Sequence, residues 1–135
     1  MIRKCCILVC NDPEDQAVFT KALHDVSPET ICLTASNAID AIYMMTKESV
    51  EPDFIFIEFD LPQMNAIEFL TAIKSVNRLK DVHVIVHATS PLANEVLKIK
   101  ESGALAIYLR PYEYYGICNM LTLYFTPETA VLQQN

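Results

Sequence analysis

The sequence predicts an α/β protein: a (βα)5 chain folded as one open, doubly wound parallel sheet with helices on both faces. Five short apolar runs alternate with five segments of helical period, and each run is continuously apolar rather than alternating, as strands buried on both faces are. Right-handed crossovers place each connecting helix against the sheet, so strict alternation in a chain of 135 residues leads to this layered arrangement around one core.

The first run, KCCILVC at Lys4–Cys10, is followed by a helix over Pro13–Val26. Asp12 precedes Pro13 as an N-cap acid before a first-turn proline, and Asp15 lies in the first turn near the positive end of the helix dipole. Ser27-Pro28 breaks the chain before the second strand at Thr30–Ala35, and a second helix follows over Asn37–Glu48. After Glu51-Pro52 comes the third strand, Asp53–Glu58, whose large apolar residues end abruptly in an acid. Asn65 with Glu68 three residues on forms a capping-box pattern for a third helix over Ala66–Val76. The fourth strand is Val82–His87. Ser90 before Pro91 repeats the cap-then-proline signal for a helix over Pro91–Ser102, which Gly103 terminates. A fifth strand, Leu105–Leu109, leads to a last helix from about Tyr112 to Phe125.

The composition, 52% apolar and 20% charged with 2 glycines, is that of an ordered globular chain. A net charge of -7 leaves no broad basic face for a phosphate backbone, so neither nucleic acid nor an anionic membrane is expected as a partner. The five cysteines lie mostly in apolar runs without C-x-x-C spacing, and their number is odd; they read as free thiols of a reducing compartment. The basic start of MIRKCCILVCNDPED is followed by too brief an apolar segment for a signal peptide, and nothing approaches the ~20 apolar residues of a membrane helix. A soluble, cytoplasmic protein is expected.

In open α/β sheets, ligands bind beyond the carboxyl ends of the strands. Those ends read Cys10-Asn11-Asp12, Glu58, His87-Ala88-Thr89 and Arg110-Pro111. Four stretches, ILVCNDPEDQAVF, PDFIFIEFDLPQMNAIEFL, LKDVHVIVHATS and ESGALAIYLRPY, fall in order and at the right spacing to resemble the signature regions of a response-regulator receiver domain. The resemblance covers nearly the whole chain. It implies a flavodoxin-like sheet in the order 2-1-3-4-5, a receiver domain over residues 1–126 and a tail over 127–135. The partners it implies are a histidine kinase, a phosphotransfer protein or an effector protein in two-component phosphorelay signalling.

The resemblance also implies a chemistry that the residues here depart from. Receivers use two acids after the first strand to hold Mg²⁺, an aspartate nucleophile ending the third, a Ser or Thr after the fourth and a Lys before proline after the fifth. Those positions read Cys10 and Asn11, Glu58, Ala88, and Arg110 before Pro111. Mg²⁺ demands octahedral oxygen ligation, which a thiol and an amide do not supply, so the expectation is no metal, or magnesium only weakly held. Glu58 places its carboxylate roughly one C–C bond beyond an aspartate's, of the order of the ~1 Å misplacement that can cost ~100-fold. Ala88 lacks a hydroxyl, with Thr89 its neighbour, and the aromatic switch position reads Ile107, with Tyr108 beside it. What survives is an anion and a cation, Glu58 and Arg110, expected to form a fixed ion pair across the strand ends.

Plainer roles stand beside these. Glu58 also reads as a solvated strand end, which the register of the signature regions argues against, Asp12 as a helix cap, Asp60 as a turn residue before Leu61-Pro62, Cys10 as a small core residue rather than a metal- or redox-sensing thiol, and His83 and His87 as structural or surface histidines. In the last helix, Tyr112, Tyr114, Tyr115, Met120, Leu121, Leu123, Tyr124 and Phe125 give more apolar coverage than one buried stripe requires. The face of the fourth helix, fifth strand and fifth helix is where receivers dimerise or dock partners, so Tyr108, Tyr112 and Tyr115 are candidate interface residues. The reading that follows is a degenerate, pseudo-receiver module that is not an enzyme and acts by protein–protein contact without phosphorylation. Two others stay open: a genuine phosphoacceptor using Glu58 or a nearby acid, and a flavodoxin-like cofactor carrier, for which no Gly-rich or hydroxyl-rich phosphate loop follows the first strand.

Overall fold

The computed structural model describes residues 4–109 and 113–125. They form β1 (Cys5–Val9), α1 (Pro13–Val26), β2 (Ile31–Ala35), α2 (Ala38–Thr46), β3 (Phe54–Glu58), α3 (Ala66–Lys74), β4 (His83–Ala88), α4 (Ala93–Glu101), β5 (Ala106–Leu109) and α5 (Tyr114–Phe125). All strand pairings are parallel, in the order β2-β1-β3-β4-β5, as the sequence predicts.

In the central strands β1, β3 and β4 continuous apolarity is explained by two cores, one on each face of the sheet. The edge strands β2 and β5, expected to be buried likewise, are mostly half-buried or exposed, because each has a neighbour on one side only. Strand residues alternate between the two cores with period two. Ile7, Val9, Ile55, Ile57, Val84, Val86 and Ala88 pack with Ala41 and Met45 of α2, Phe69, Leu70 and Ile73 of α3 and Ile99 of α4. Cys6, Leu8, Cys10, Phe54, Phe56 and Ile85 pack with Phe19 and Leu23 of α1 and Ile117, Met120, Leu121 and Phe125 of α5. Phe56 is fully buried in this second core, with its ring centroid 5.1 Å from that of Phe19 and 6.2 Å from that of Phe125. At α5 the Tyr114 hydroxyl donates to the Asp25 carboxylate of α1, and Tyr124 shares a 2.8 Å hydrogen bond with Tyr108 of β5.

The predicted capping signals hold at α1 and α3, and α2 has a cap that the sequence reading did not single out. Asp12 caps α1, Asn37 caps α2 through a 2.8 Å bond from the Asp40 N–H, and Asn65 with Glu68 forms the full capping box of α3. The start of α4 differs: Ser90 and Pro91 precede the helix, which begins at Ala93. Leu92 occupies the cap position, and the Glu95 carboxylate accepts its backbone N–H at 2.8 Å. An apolar cap cannot bond the helix N–H groups, and the acid inside the first turn does half of a capping box's work from its own side. No helix among the described residues is long and apolar enough to cross a membrane.

Gly103 ends α4 with φ +102°, a conformation that L residues with a Cβ rarely adopt. A Cβ there would also lie 2.9 Å from Cε of Lys74. That side chain is not free to swing aside, because its ammonium donates to the carbonyls of Lys80 at 2.8 Å and Val82 at 3.3 Å. Gly103→Ala is therefore expected to cost about 1–2 kcal/mol, read as a lower urea midpoint at unchanged slope. Unchanged stability would show that the turn relaxes without cost.

Candidate functional site

The carboxyl edge of the sheet is assembled by the parallel register. Val9 pairs with Ile57, and Glu58 pairs with His87. By period two, Glu58 follows Phe54 and Phe56 onto the face covered by α1 and α5, and the His87 ring points the same way, with Phe19, Phe56 and Tyr108 around it at centroid distances of 6.4, 5.9 and 6.4 Å. Ala88 lies on the opposite face, buried with Ile57 and Val86. The side chain that neighbours Glu58 on β4 is thus an imidazole rather than the methyl group of Ala88.

Cys10, at the end of β1, is 2% exposed. Its N–H donates to the Ala35 carbonyl at 3.0 Å, its carbonyl accepts from the Gln16 side-chain amide, and its thiol donates to the Asp12 carbonyl at 3.6 Å. Asn11 is exposed. Asp12 is committed to the helix: its carboxylate accepts the N–H groups of Glu14 at 2.9 Å and Asp15 at 3.4 Å. The plainer reading of Asp12 as a cap is the one the geometry bears out.

Capping also turns the first turn of α1 toward the strand ends, and this brings in a residue that the sequence reading assigned only to the helix dipole. One ligand atom each from Cys10, Asp15 and Glu58 lie within 4.8 Å of one another, with the thiol buried and both carboxylates half-buried. Spacing alone hides this grouping, because Asp15 is near Cys10 in sequence but its direction depends on where the cap starts the helix.

The remaining candidates are spread around this edge. Asp60 is exposed in the loop after β3, where Gln63 takes the left-handed conformation at φ 71°. Thr89 is exposed. Ile107 packs against the α2–α3–α4 core, and Tyr108 against the α1–α5 core. Tyr115 is 73% exposed. Arg110, Pro111 and Tyr112 lie outside the described residues, and with them the expected Glu58–Arg110 pair.

His87 is 8% exposed, and its Nε2 has no hydrogen-bond partner among the described residues. Burial disfavours the charged ring and pushes its pKa down to about 4, so the imidazole is neutral at pH 7. Sequence reasoning left it a generic structural histidine. The signal available was that it falls on the same strand face as Ile85, two residues before it.

No protein-family profile matches the chain. Among curated proteins it is similar to sporulation initiation phosphotransferase F of Bacillus subtilis, with 28% identity over 79 residues, 58% of this chain and 60% of that protein. It is also similar to the probable C4-dicarboxylate response regulator DctR of Priestia megaterium, with 23% identity over 128 residues, 95% of this chain and 54% of that protein. The matched regions span 12% to 60% of the lengths of the first such relatives. Among solved structures, the phosphorylated cyanobacterial phytochrome response regulator RcpA superposes with a TM-score of 0.81 at 19% identity, over 90% of each chain. The receiver domain of sensor histidine kinase PA1611 from Pseudomonas aeruginosa PAO1, with magnesium in its active-site cleft, gives 0.74 at 16% identity over 93% of this chain and 99% of that one. The fold is therefore the flavodoxin-like receiver fold of response regulators.

That fold implies a magnesium site, and the donors here do not fit it. Mg²⁺ takes six oxygen ligands in near-ideal octahedral geometry, whereas the donors gathered at the strand ends are one thiol sulfur and two carboxylates. Asn11 is neutral, and Asp12, one oxygen of which accepts two backbone N–H groups as the α1 cap, is not among the grouped donors.

Two outcomes follow from this geometry. Asp12→Ala is expected to lower stability by about 1 kcal/mol, with Asp12→Asn retaining most of it; equal losses in both variants would mean that charge rather than capping is at work. Above pH 6.5 the His87 ring is neutral in folded and unfolded chains alike. As pH falls, the unfolded chain takes up the proton first, so stability declines from pH 6.5 until the folded form protonates near 4, a loss of about 3 kcal/mol. Urea midpoints measured across this window should be flatter in His87→Phe than in the parent; parallel curves would contradict the assignment.

Proposed function

We propose that the chain is a response-regulator-type receiver module in phosphorelay signalling that works by protein–protein contact and does not depend on phosphorylation of its own strand end. The observation that carries this reading is the end of β1, where a buried thiol and a neutral amide stand in place of an acidic pair while the nearby acid, Asp12, caps α1. Phosphoryl transfer to a carboxylate rests on charge neutralisation and positioning, and both are weakened here. Glu58 carries its carboxylate one methylene farther out than an aspartate, and the β4 neighbour in its ladder is a neutral, buried imidazole rather than a small hydroxyl.

In this reading Glu58 is a standing negative charge where ordinary receivers carry a transient one, and Arg110 is its proposed counter-charge. Protein partners of the phosphorelay kind suit a second feature. Leu92 and Leu97 at α4, Leu109 of β5, and Tyr115 and Leu123 of α5 are exposed apolar side chains on one helix–strand–helix stretch. A partner or a second copy docking there would cover them. The similar curated proteins, a phosphotransferase and a response regulator, agree with a place in such a pathway.

Incubation of the protein with acetyl phosphate and Mg²⁺, followed by intact-mass measurement, is expected to return the unmodified mass. An added phosphoryl group that Glu58→Gln abolishes would overturn the reading in favour of a working phosphoacceptor.

A further inference from the structure

We propose that Cys10, Asp15 and Glu58 form a binding site for a thiolate-preferring divalent metal, zinc above all, in the pocket where the fold elsewhere holds magnesium. The inference deepens the reading above and rests on it in one respect: the pocket is not a magnesium-dependent phosphoacceptor.

Three donors from three separate elements meet here, at the end of β1, in the first turn of α1 and at the end of β3, and one ligand atom from each lies within 4.8 Å of the other two. Around a tetrahedral ion with Zn–S near 2.3 Å and Zn–O near 2.1 Å, neighbouring donors stand roughly 3.6 Å apart. Closing from the observed spacing means drawing the donors together by about 1 Å, and both Glu58 and Asp15 are half-buried rather than locked in the core. The backbone that carries the donors is held: the Gln16 amide grips the Cys10 carbonyl, the Asp12 cap fixes the N–H of Asp15, and the Phe59 N–H just after Glu58 donates to the His87 carbonyl at 2.8 Å.

Chemistry selects the metal. A buried sulfur is a poor ligand for magnesium and a strong one for zinc, and sulfur with carboxylate oxygens is within the range zinc accepts. On binding, the Cys10 thiol gives its proton to solvent and the thiolate takes the metal. One thiolate and two carboxylates bring three negative charges against two positive, and three protein ligands leave the fourth position to water or to a group from a partner. The longer side chain at Glu58 is then an advantage, because it brings its oxygen out over the strand ends toward Asp15. His87 stands beside Glu58 in the ladder, buried on the same face with Nε2 unpartnered among the described residues, but it is not one of the three grouped donors.

Reduced, chelator-stripped full-length protein titrated with Zn²⁺ against a chromogenic competitor should bind one ion that excess Mg²⁺ does not displace. Co²⁺ in the same site should show a thiolate-to-cobalt charge-transfer band. Cys10→Ser is expected to remove the band, and Asp15→Asn to keep the band while weakening zinc by at least the ~10–100-fold that losing an outer-shell partner costs. Cys32→Ser, which alters the other thiol pair, Cys6 and Cys32 in register on β1 and β2, should leave both readouts unchanged. Absence of stoichiometric zinc, a band that survives Cys10→Ser, a band lost in Cys32→Ser, or unchanged zinc affinity in Asp15→Asn would each overturn the assignment. The acetyl phosphate result separates the two readings: failure to bind zinc leaves the unmodified mass as it is, whereas phosphorylation at Glu58 would remove the basis of both.

Discussion

The Asp12 cap is the interaction on which the site depends. Its carboxylate closes the exposed N–H groups of the first turn of α1, and Pro13 at the next position is already set in the helical φ. The helix consequently starts at Pro13, and only Cys10, Asn11 and Asp12 connect it to the end of β1, a link too short to absorb a change of direction. Two consequences follow together. One oxygen of the acid nearest the strand end is engaged in the cap, and the acid three residues later is brought within reach of Cys10 and Glu58. Had α1 begun a residue later, Asp15 would point elsewhere around the helix by ~100°, since each residue advances that far in a 3.6-residue turn.

The second constraint is register. Parallel strands buried on both faces sort their side chains by alternation alone, so Cys10, Glu58 and His87 emerge on the α1–α5 side while Val9, Ile57 and Ala88 go to the other. The aromatic cluster beneath them ties the edge to α5: His87 touches Tyr108 and Phe56, Tyr108 bonds Tyr124, and Phe56 packs on Phe125. A charge or ligand placed at Glu58 therefore borders a packed path to the helix that carries the exposed Tyr115 and Leu123. The path is spatial contiguity, and it gives the site a mechanical neighbour rather than a demonstrated switch.

Most of the architecture was legible in the sequence because each local signal agreed with the global one. Apolar runs of strand length, Asp12-Pro13 and Asn65 with Glu68 gave β1, α1 and α3 nearly residue for residue. At α4 the same reasoning misled: Ser90-Pro91 looks like a cap and a first-turn proline, but the helix begins at Ala93 and Glu95 closes it from within. The candidate site was legible at Cys10 and Glu58, which end strands, and illegible at Asp15 and His87. For Asp15 the missing quantity was a rotation angle about α1; for His87 it was the pairing of β3 with β4, which places residue 87 rather than 88 beside Glu58. Neither is encoded in residue type.

The question of glutamate over aspartate at position 58 turns on what the carboxylate meets. For in-line attack on phosphorus the extra methylene is a defect, because positioning is most of what such a site contributes. For ligation it is not, because a ligand oxygen must only reach the ion, and the reach needed is set by a buried sulfur on β1 and a carboxylate hanging from α1 above it. On the proposed reading, the side chain that suits in-line attack poorly still serves as a third corner for an ion, and the sulfur of Cys10 selects which ion that corner suits.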